Sequence, residues 1–233
     1  MVRKNTFIVI AAYNEEKNLP NVISSLKKAG YNNVIAVDDG SKDNTFEVAE
    51  KAGATSLKHP FNQGQGAALR TGIRYALQQG AEIIVTFDAD GQHRIEDLPA
   101  MITPVAEGDV DITLGSRFLR KTKVPLRRKI LLKGSVLVIW LFYGIKMTDA
   151  HNGFRALSRN AAQKIRITCN RMAHASEIID EIKRNKLKYK EIPVTIIYTK
   201  ETLKQGEGSY FGALKILSKM ISRKLFSRRK IIR

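Results

Sequence analysis

Five short runs of strand-forming residues, each separated from the next by a helix-like segment, constrain this chain more than any other feature. TFIVIAA (6–12), VIAVDD (34–39), ATSLKH (54–59), EIIVTF (82–87) and DITLG (111–115) read as strands. Between them, NEEKNLPNVISSLKKAG reads as a helix that stops at Gly30, and the Asp43–Asn44–Thr45 cluster starts a second that runs to about Lys51. GQGAALRTGIRYALQQG has apolar positions at helical spacing and ends at Gly80, and a further helix lies around Ile95–Ala106. Apolar strands that alternate with helices predict an α/β fold with a mostly parallel sheet covered on both faces. In such a sheet ligands sit beyond the carboxyl ends of the strands. That rule places Ala12–Tyr13–Asn14, Asp38–Asp39 and Asp88–Asp90 along one rim.

Size and composition set no obstacle to this fold. With 233 residues, 43% hydrophobic and 27% charged, the chain can bury a core and has ordinary soluble-globular composition. Cys169 is its one cysteine, so no intrachain disulfide is available and a reducing, cytoplasmic setting is expected. The opening MVRKNTFIVIAAYNEE passes from a short apolar run straight into polar residues, so no signal peptide is expected.

Charge is informative by its placement. Residues 112–148 hold nine Lys or Arg and no acid, residues 208–233 hold eight more and no acid, and together they supply 17 of the net +18. A near-neutral body therefore carries two basic surfaces, each interleaved with Leu, Ile, Phe or Trp. No helix-turn-helix, zinc-finger or aromatic RNA-binding signature accompanies them, so nucleic acid is not the expected partner. The mixture suits an anionic membrane surface at which the protein lies peripherally on the inner face. GSVLVIWLFYGI (134–145) is uncharged, but even with Ile130–Leu132 the stretch falls short of the ~20 residues that span a bilayer and contains Lys133. A buried core helix and an interfacial helix both fit; the flanking cations favour an interfacial helix over about 128–146. EIIDEIKRNK reads as an amphipathic helix and YKEIPVTIIY as a strand returning to the sheet. In the tail, Phe211, Leu214, Leu217, Ile221 and Leu225 fall on one side of a basic amphipathic helix. The expected organisation is a catalytic domain over 1–208 and a membrane-association helix over 209–233.

Two acidic pairs carry the chemistry. In VTFDADGQH, a period of two points Asp88 and Asp90 the same way, and two carboxylates at a strand end repel unless a cation lies between them. Hard oxygen ligands favour Mg²⁺ or Mn²⁺ with substrate phosphates completing the shell, and Gln92 adds a neutral oxygen. The plainer alternative is an acidic, helix-capping turn. In VDDGSKDNT, Asp38 or Asp39 can accept from a nucleobase imide or a ribose hydroxyl, while Asp43 or Asn44 caps the next helix. Gln63–Gly64–Gln65–Gly66 opens a helix whose exposed amides suit an anion, with Arg70 one turn in. A glycine-cut helix start is the equal alternative.

Taken in order, AAYNEE, VDDGSKDNT, NQGQGAALRTG, DADGQH, GSR and DAHNGFRALSR resemble the nucleotide-sugar-dependent glycosyltransferases of family 2, which have the GT-A fold. The likeness is to the dolichol-phosphate mannose synthase and polyprenyl-phosphate glycosyltransferase branch and covers residues 5–210. It implies that Ala12, Tyr13, Asn14 and Glu15 with Asp38 and Asp39 hold the donor's nucleoside, and that Gln65, Arg70, Asp88 and Ala89 complete the nucleotide-sugar site. It further implies that Asp88, Asp90 and Gln92 hold Mg²⁺ or Mn²⁺. Asp90, Arg117 and Asp149 are the residues it implicates in the transfer, with the NGFR stretch closing the sugar side. Arg117, Arg128 and Lys204 are the implied ligands of the acceptor phosphate. The chain departs from the family in having Leu132 where a Ser is frequent, and Lys204 ahead of GEGS where an Arg is frequent. Many relatives carry C-terminal transmembrane helices, which this sequence does not show.

The resemblance implies transfer of a sugar from a GDP- or UDP-sugar to a polyprenyl phosphate, with inversion. A phosphate acceptor needs no general base, so His93 and His151 are expected to be ordinary hydrogen-bonded histidines. The expectation leaves room for a separate integral-membrane partner that flips or uses the product. Two rivals stay open at this point: a sugar-nucleotide nucleotidyltransferase, whose glycine-rich opening loop is replaced here by AAYNEE, and a non-catalytic, charge-driven nucleic-acid-binding protein.

Overall fold

A computed structural model describes residues 5–120, 126–150, 152–171 and 173–198. The strands β1 (Thr6–Ala12), β2 (Asn33–Asp38), β3 (Thr55–Lys58), β4 (Ile83–Asp88), β5 (Ile112–Ser116), β6 (Arg155–Ser158) and β7 (Tyr189–Pro193) form one sheet in the order β3-β2-β1-β4-β6-β5-β7. Neighbours are parallel except around β6, which runs antiparallel to both β4 and β5. Helices α1 (Leu19–Lys28), α2 (Thr45–Lys51), α3 (Gln65–Gln78), α4 (Leu98–Ala106), α5 (Leu126–Tyr143), α6 (Arg159–Lys164) and α7 (His174–Arg184) complete the described chain.

The central strands are apolar through their middles because helices cover both faces; Ile8, Val9 and Ile10 of β1 are fully buried. All five strands expected from sequence form, with small shifts at their ends. Two elements differ. YKEIPVTIIY makes β7 only as far as Pro193, whose missing N–H ends a ladder. The four-residue β6, RALS, is too short and too polar to announce itself, and is held by pairing with strands on both sides.

The topology opens a crevice at one place. β1 has β2 on one flank and β4 on the other, so the chain changes direction of winding there. Ala12 pairs with Asp38 and Ala11 with Asp88, so the three strands end level and present their loops to one cleft.

Helix α5 is apolar on two opposite faces. Leu132 and Ile139 are buried, while Ile130, Leu137 and Leu141 lie on the opposite side, 65%, 54% and 64% exposed. No helix among the described residues is long and apolar enough to cross a membrane.

Candidate functional site

A cavity of about 420 Å³ lies at the carboxyl ends of β1, β2 and β4. Its first end is built by the ends and loops of β1 and β2, which supply Ala12, Tyr13, Glu15 and Asp39, and by the segment from β3 into α3, which supplies Asn62 and Gln65. The Asp39 amide donates to Ala12 O at 2.8 Å, which ties the two loops together. The Asp39 carboxylate is buried; Oδ1 takes the His59 Nδ1 at 2.7 Å and the Gln63 amide at 3.1 Å, and Oδ2 takes the Gly64 amide at 2.6 Å. Burial, and the charges of Asp90, Asp43 and Asp88, push the Glu15 carboxyl up, against a hydrogen bond from Asn18.

The neighbouring residues of this pair of loops have other work. Asp38 is buried and does not line the cavity; its Oδ1 accepts the Ser41 amide at 2.9 Å. Asn14 adopts φ 56° and staples the same turn, donating its amide to Ser41 Oγ and accepting the Lys42 amide on Oδ1, each at 2.9 Å. Of the two acids in VDD, the structure therefore turns only Asp39 to the cavity.

In the middle stand Asp88, Ala89, Asp90, Gln92 and His93. The period-two argument stops at Asp88, the last residue of β4, because Ala89 and Asp90 form a turn. Each carboxylate has its own partners. Asp88 Oδ2 meets His93 Nε2 at 2.8 Å and its Oδ1 takes Gln65 Nε2 at 3.3 Å. Asp90 accepts the Gln92 amide on Oδ1 at 3.0 Å and Gln92 Nε2 on Oδ2 at 2.8 Å. Burial alone would raise the Asp88 pKa, but the His93 imidazole and the Arg155 guanidinium hold it below the ordinary carboxylate value. Gly153 is required here: a Cβ on it would lie 2.5 Å from Asp88 Oδ1. Asp88 and Asp90 are hard oxygen donors on one turn, which fits Mg²⁺ or Mn²⁺ with substrate oxygens in the shell. Gln92 would join them through Oε1 once its amide turns over from Asp90.

The far end is cationic. Arg117 is buried, and its Nε donates to Asp149 Oδ2 at 2.6 Å, with its backbone amide on the same oxygen at 3.2 Å. Asp149 thus sits behind Arg117 and outside the cavity wall. Asn152, Arg155 and His174 line this end. Arg155, 3% exposed, projects from β6; burial pushes its pKa down to about 10 against the pull of Asp88 and Asp149, so it remains a cation at neutral pH. His174 is pushed down to about 4 by burial and by Arg155, and is neutral. Three buried polar atoms on wall residues have no hydrogen-bond partner among the described residues: His93 Nδ1, Asn152 Nδ2 and Arg155 Nη1. Buried polar groups without partners incur a cost that a polar ligand can relieve.

Two expectations for the glycine-rich helix start change. The amides of Gly66 and Ala67 both point at Asn170 O, at 2.7 and 3.2 Å, so they are not offered to an anion. A Cβ on Gly66 would lie 2.1 Å from Cys169 O and 2.8 Å from His174 Cβ, so the glycine permits close packing of α3 against that segment. Arg70 faces away from the cavity, its Nη1 on Ile167 O at 3.1 Å and Asn170 Oδ1 at 3.3 Å. Arg128 falls on α5, its side chain outside the described residues; Lys204, His151 and the 208/209 boundary with its tail helix also lie outside them. Sequence reasoning placed no weight on His174 or Ile196, neither of which belongs to a motif, and gave no role to Asn62, which opens NQGQGAALRTG. They reach the cavity by tertiary packing.

Known proteins resemble the chain as follows. An uncharacterized protein of Methanocaldococcus jannaschii is 40% identical over 94% of this chain and 92% of its own length. The UDP-N-acetylglucosamine–dolichyl-phosphate N-acetylglucosaminyltransferase of Methanococcus voltae is 33% identical, covering 97% of this chain and 98% of that enzyme. Glucosyl-3-phosphoglycerate synthase from Mycobacterium tuberculosis, crystallised with Mn²⁺, uridine diphosphate and phosphoglyceric acid, superposes with a TM-score of 0.71 at 18% identity, over 94% of this chain and 78% of that one. The family model described as glycosyl transferase family 2 matches residues 7–166. More than half of the sequence satisfies that model, and the sheet carries the corresponding crevice: the chain belongs to glycosyl transferase family 2 and is an enzyme of the GT-A fold.

Proposed function

We propose that this glycosyltransferase moves a sugar from a nucleotide-sugar to the phosphate of a polyprenyl or dolichyl lipid at the inner face of the membrane, for glycan or cell-surface polysaccharide synthesis. The observation that carries the reading is a single cavity with a carboxylate at the nucleoside end and two buried arginines at the other. One crevice thus joins a base-accepting end to an end that attracts an anion. The full-length relative that acts on dolichyl phosphate supports the lipid acceptor.

In this reading Asp39 with the loop after Ala12 holds the nucleoside. Asp88 and Asp90, with Gln92, would hold Mg²⁺ or Mn²⁺, which when bound neutralises charge on the departing diphosphate. Arg117, fixed by Asp149, draws the acceptor phosphate to the cavity and orients it. One phosphate oxygen attacks the anomeric carbon as the bond from that carbon to the donor diphosphate breaks, inverting the configuration. A phosphate monoester is already anionic at neutral pH, so no side chain need remove a proton. His93 is committed to Asp88 and packs edge-on against Phe87 with a ring-centroid distance of 5.2 Å, a supporting position. The chain's contribution is alignment and preorganised charge. The membrane-facing parts are α5 and the basic tail over 209–233, appended to a catalytic domain over 1–208; an integral-membrane partner could take the product onward.

The test is transfer of radiolabel from UDP- and GDP-sugars into an organic-extractable product, with undecaprenyl or dolichyl phosphate in vesicles and MnCl₂. Lipid-linked label that disappears in Asp90→Ala is expected. Label found only in water-soluble products would overturn the lipid acceptor.

A further inference from the structure

We infer that the nucleoside end of the cavity is built to read uracil, and that His59 is the positioning residue that makes the reading selective; this deepens the nucleotide-sugar reading above and rests on it. The argument is a count of acceptor sites. A carboxylate offers about four, two on each oxygen. Asp39 Oδ1 already takes two donors, His59 Nδ1 at 2.7 Å and the Gln63 amide at 3.1 Å. Oδ2 takes one, the Gly64 amide at 2.6 Å. One acceptor site is left on a wall of the cavity.

Two of the three donors are anchored from elsewhere. Gly64 has φ 103° and leads into α3, whose Gly66 and Ala67 amides are anchored on Asn170 O. His59 is gripped from its other side, where Nε2 meets Thr71 Oγ1 of α3 at 2.9 Å. An ionised carboxylate can only accept, so Nδ1 donates to Asp39, and the Nε2 contact with Thr71 pins the ring between the helix and the acid. His59 is itself buried.

A single acceptor matches a single donor. Uracil presents one imide N3–H. Guanine presents N1–H and N2–H₂ side by side, a pair that needs both carboxylate oxygens at once, and Oδ1 is full. Its second donor would stay unpaired or displace His59 or Gln63. Cytosine and adenine place a ring acceptor where the carboxylate also accepts. A buried unpaired donor costs about tenfold to a hundredfold in affinity.

The experiment is calorimetric titration of the full chain, in MnCl₂, with UDP, GDP, CDP and N3-methyl-UDP. UDP is expected to bind at least about tenfold tighter than GDP and CDP, and N3-methylation is expected to erase that advantage. GDP binding as tightly as UDP, or N3-methyl-UDP binding like UDP, would overturn the uracil assignment and leave glycosyl transfer standing. Failure of all four to bind would overturn the nucleotide-sugar reading as well. His59→Gln keeps a donor and an acceptor and should preserve the UDP-to-GDP ratio within about threefold, whereas His59→Leu opens a second site on Oδ1 and should collapse it. Should His59→Leu fail to fold, Thr71→Val removes only the outer grip and should lower the same ratio. An unchanged ratio in a folded His59→Leu or Thr71→Val protein would remove His59 from the account.

Discussion

Arg155 is the side chain on which the charge balance of the cavity turns. It lies within electrostatic reach of both Asp88 and Asp149, buried, with Nη1 unpartnered. Removing one member of a buried charge cluster leaves the others uncompensated and costs about 3–5 kcal/mol. Arg155→Met is therefore expected to destabilise the protein by roughly that amount in urea unfolding and to suppress transfer, while Arg155→Lys restores most of the stability. A Met variant as stable as the parent would show that Asp88 and Asp149 are balanced without it. His174 gives a pH signature. Its pKa is about 4 when folded against an ordinary 6.5, so between those values the unfolded chain binds a proton that the folded chain does not. Stability accordingly rises with pH through that window; it is lost on acidification below about 6.5, with the loss levelling off below about 4. The whole effect is about 3 kcal/mol, so the stability of wild type minus that of His174→Gln should rise by about that amount between pH 4 and 7, and a flat difference would remove His174 from the account.

At the scale of elements, β7 controls the cationic end of the site without touching it. Glu191 on β7 accepts the Thr148 amide on both oxygens, at 2.8 and 2.9 Å, and the Asp149 amide at 3.1 Å. This carboxylate holds the turn that sets Asp149 behind Arg117. Glu191→Ala should raise KM for the lipid acceptor by about tenfold, the cost of a lost charge-assisted hydrogen bond, while UDP affinity stays unchanged. Steady-state kinetics with each substrate varied separately would show it; an equal loss for donor and acceptor would refute the division of the cavity. The same elements mark what could be read in advance. β1, β2 and β4 are legible because burial on both faces makes them apolar through their middles, and their acids stand out against that background. β6 is not, because its first residue is the cavity's Arg155 and only four residues pair. His174 is not legible either: its place beside Gly66 is fixed by the Asn170 carbonyl capping α3, a contact that spans about a hundred residues and leaves no local pattern. The glycines of NQGQG were visible, but packing rather than anion binding explains Gly66.

For the whole molecule, charge and exposed apolar surface should act together on a membrane. The acid-free segments 112–148 and 208–233 carry 17 Lys and Arg, and α5 within the first of them exposes Ile130, Leu137 and Leu141 in one stripe, with Lys129 and Lys133 also exposed. A helix apolar on two opposite faces has one face for the protein and one for something else. Each cation near an anionic surface contributes about 1 kcal/mol, and burying a leucine about 1.5–3 kcal/mol. The two contributions separate experimentally, since salt screens the first and leaves the second. Partition onto phosphatidylglycerol vesicles should weaken as salt rises from 50 to 500 mM but retain a salt-resistant remainder. Leu137→Ser with Leu141→Ser should remove that remainder, lowering partition by about a hundredfold at high salt, and leave the salt-sensitive part intact. Binding that vanishes entirely with salt in the parent protein would mean that the stripe never enters the bilayer and that charge alone brings the enzyme to its lipid.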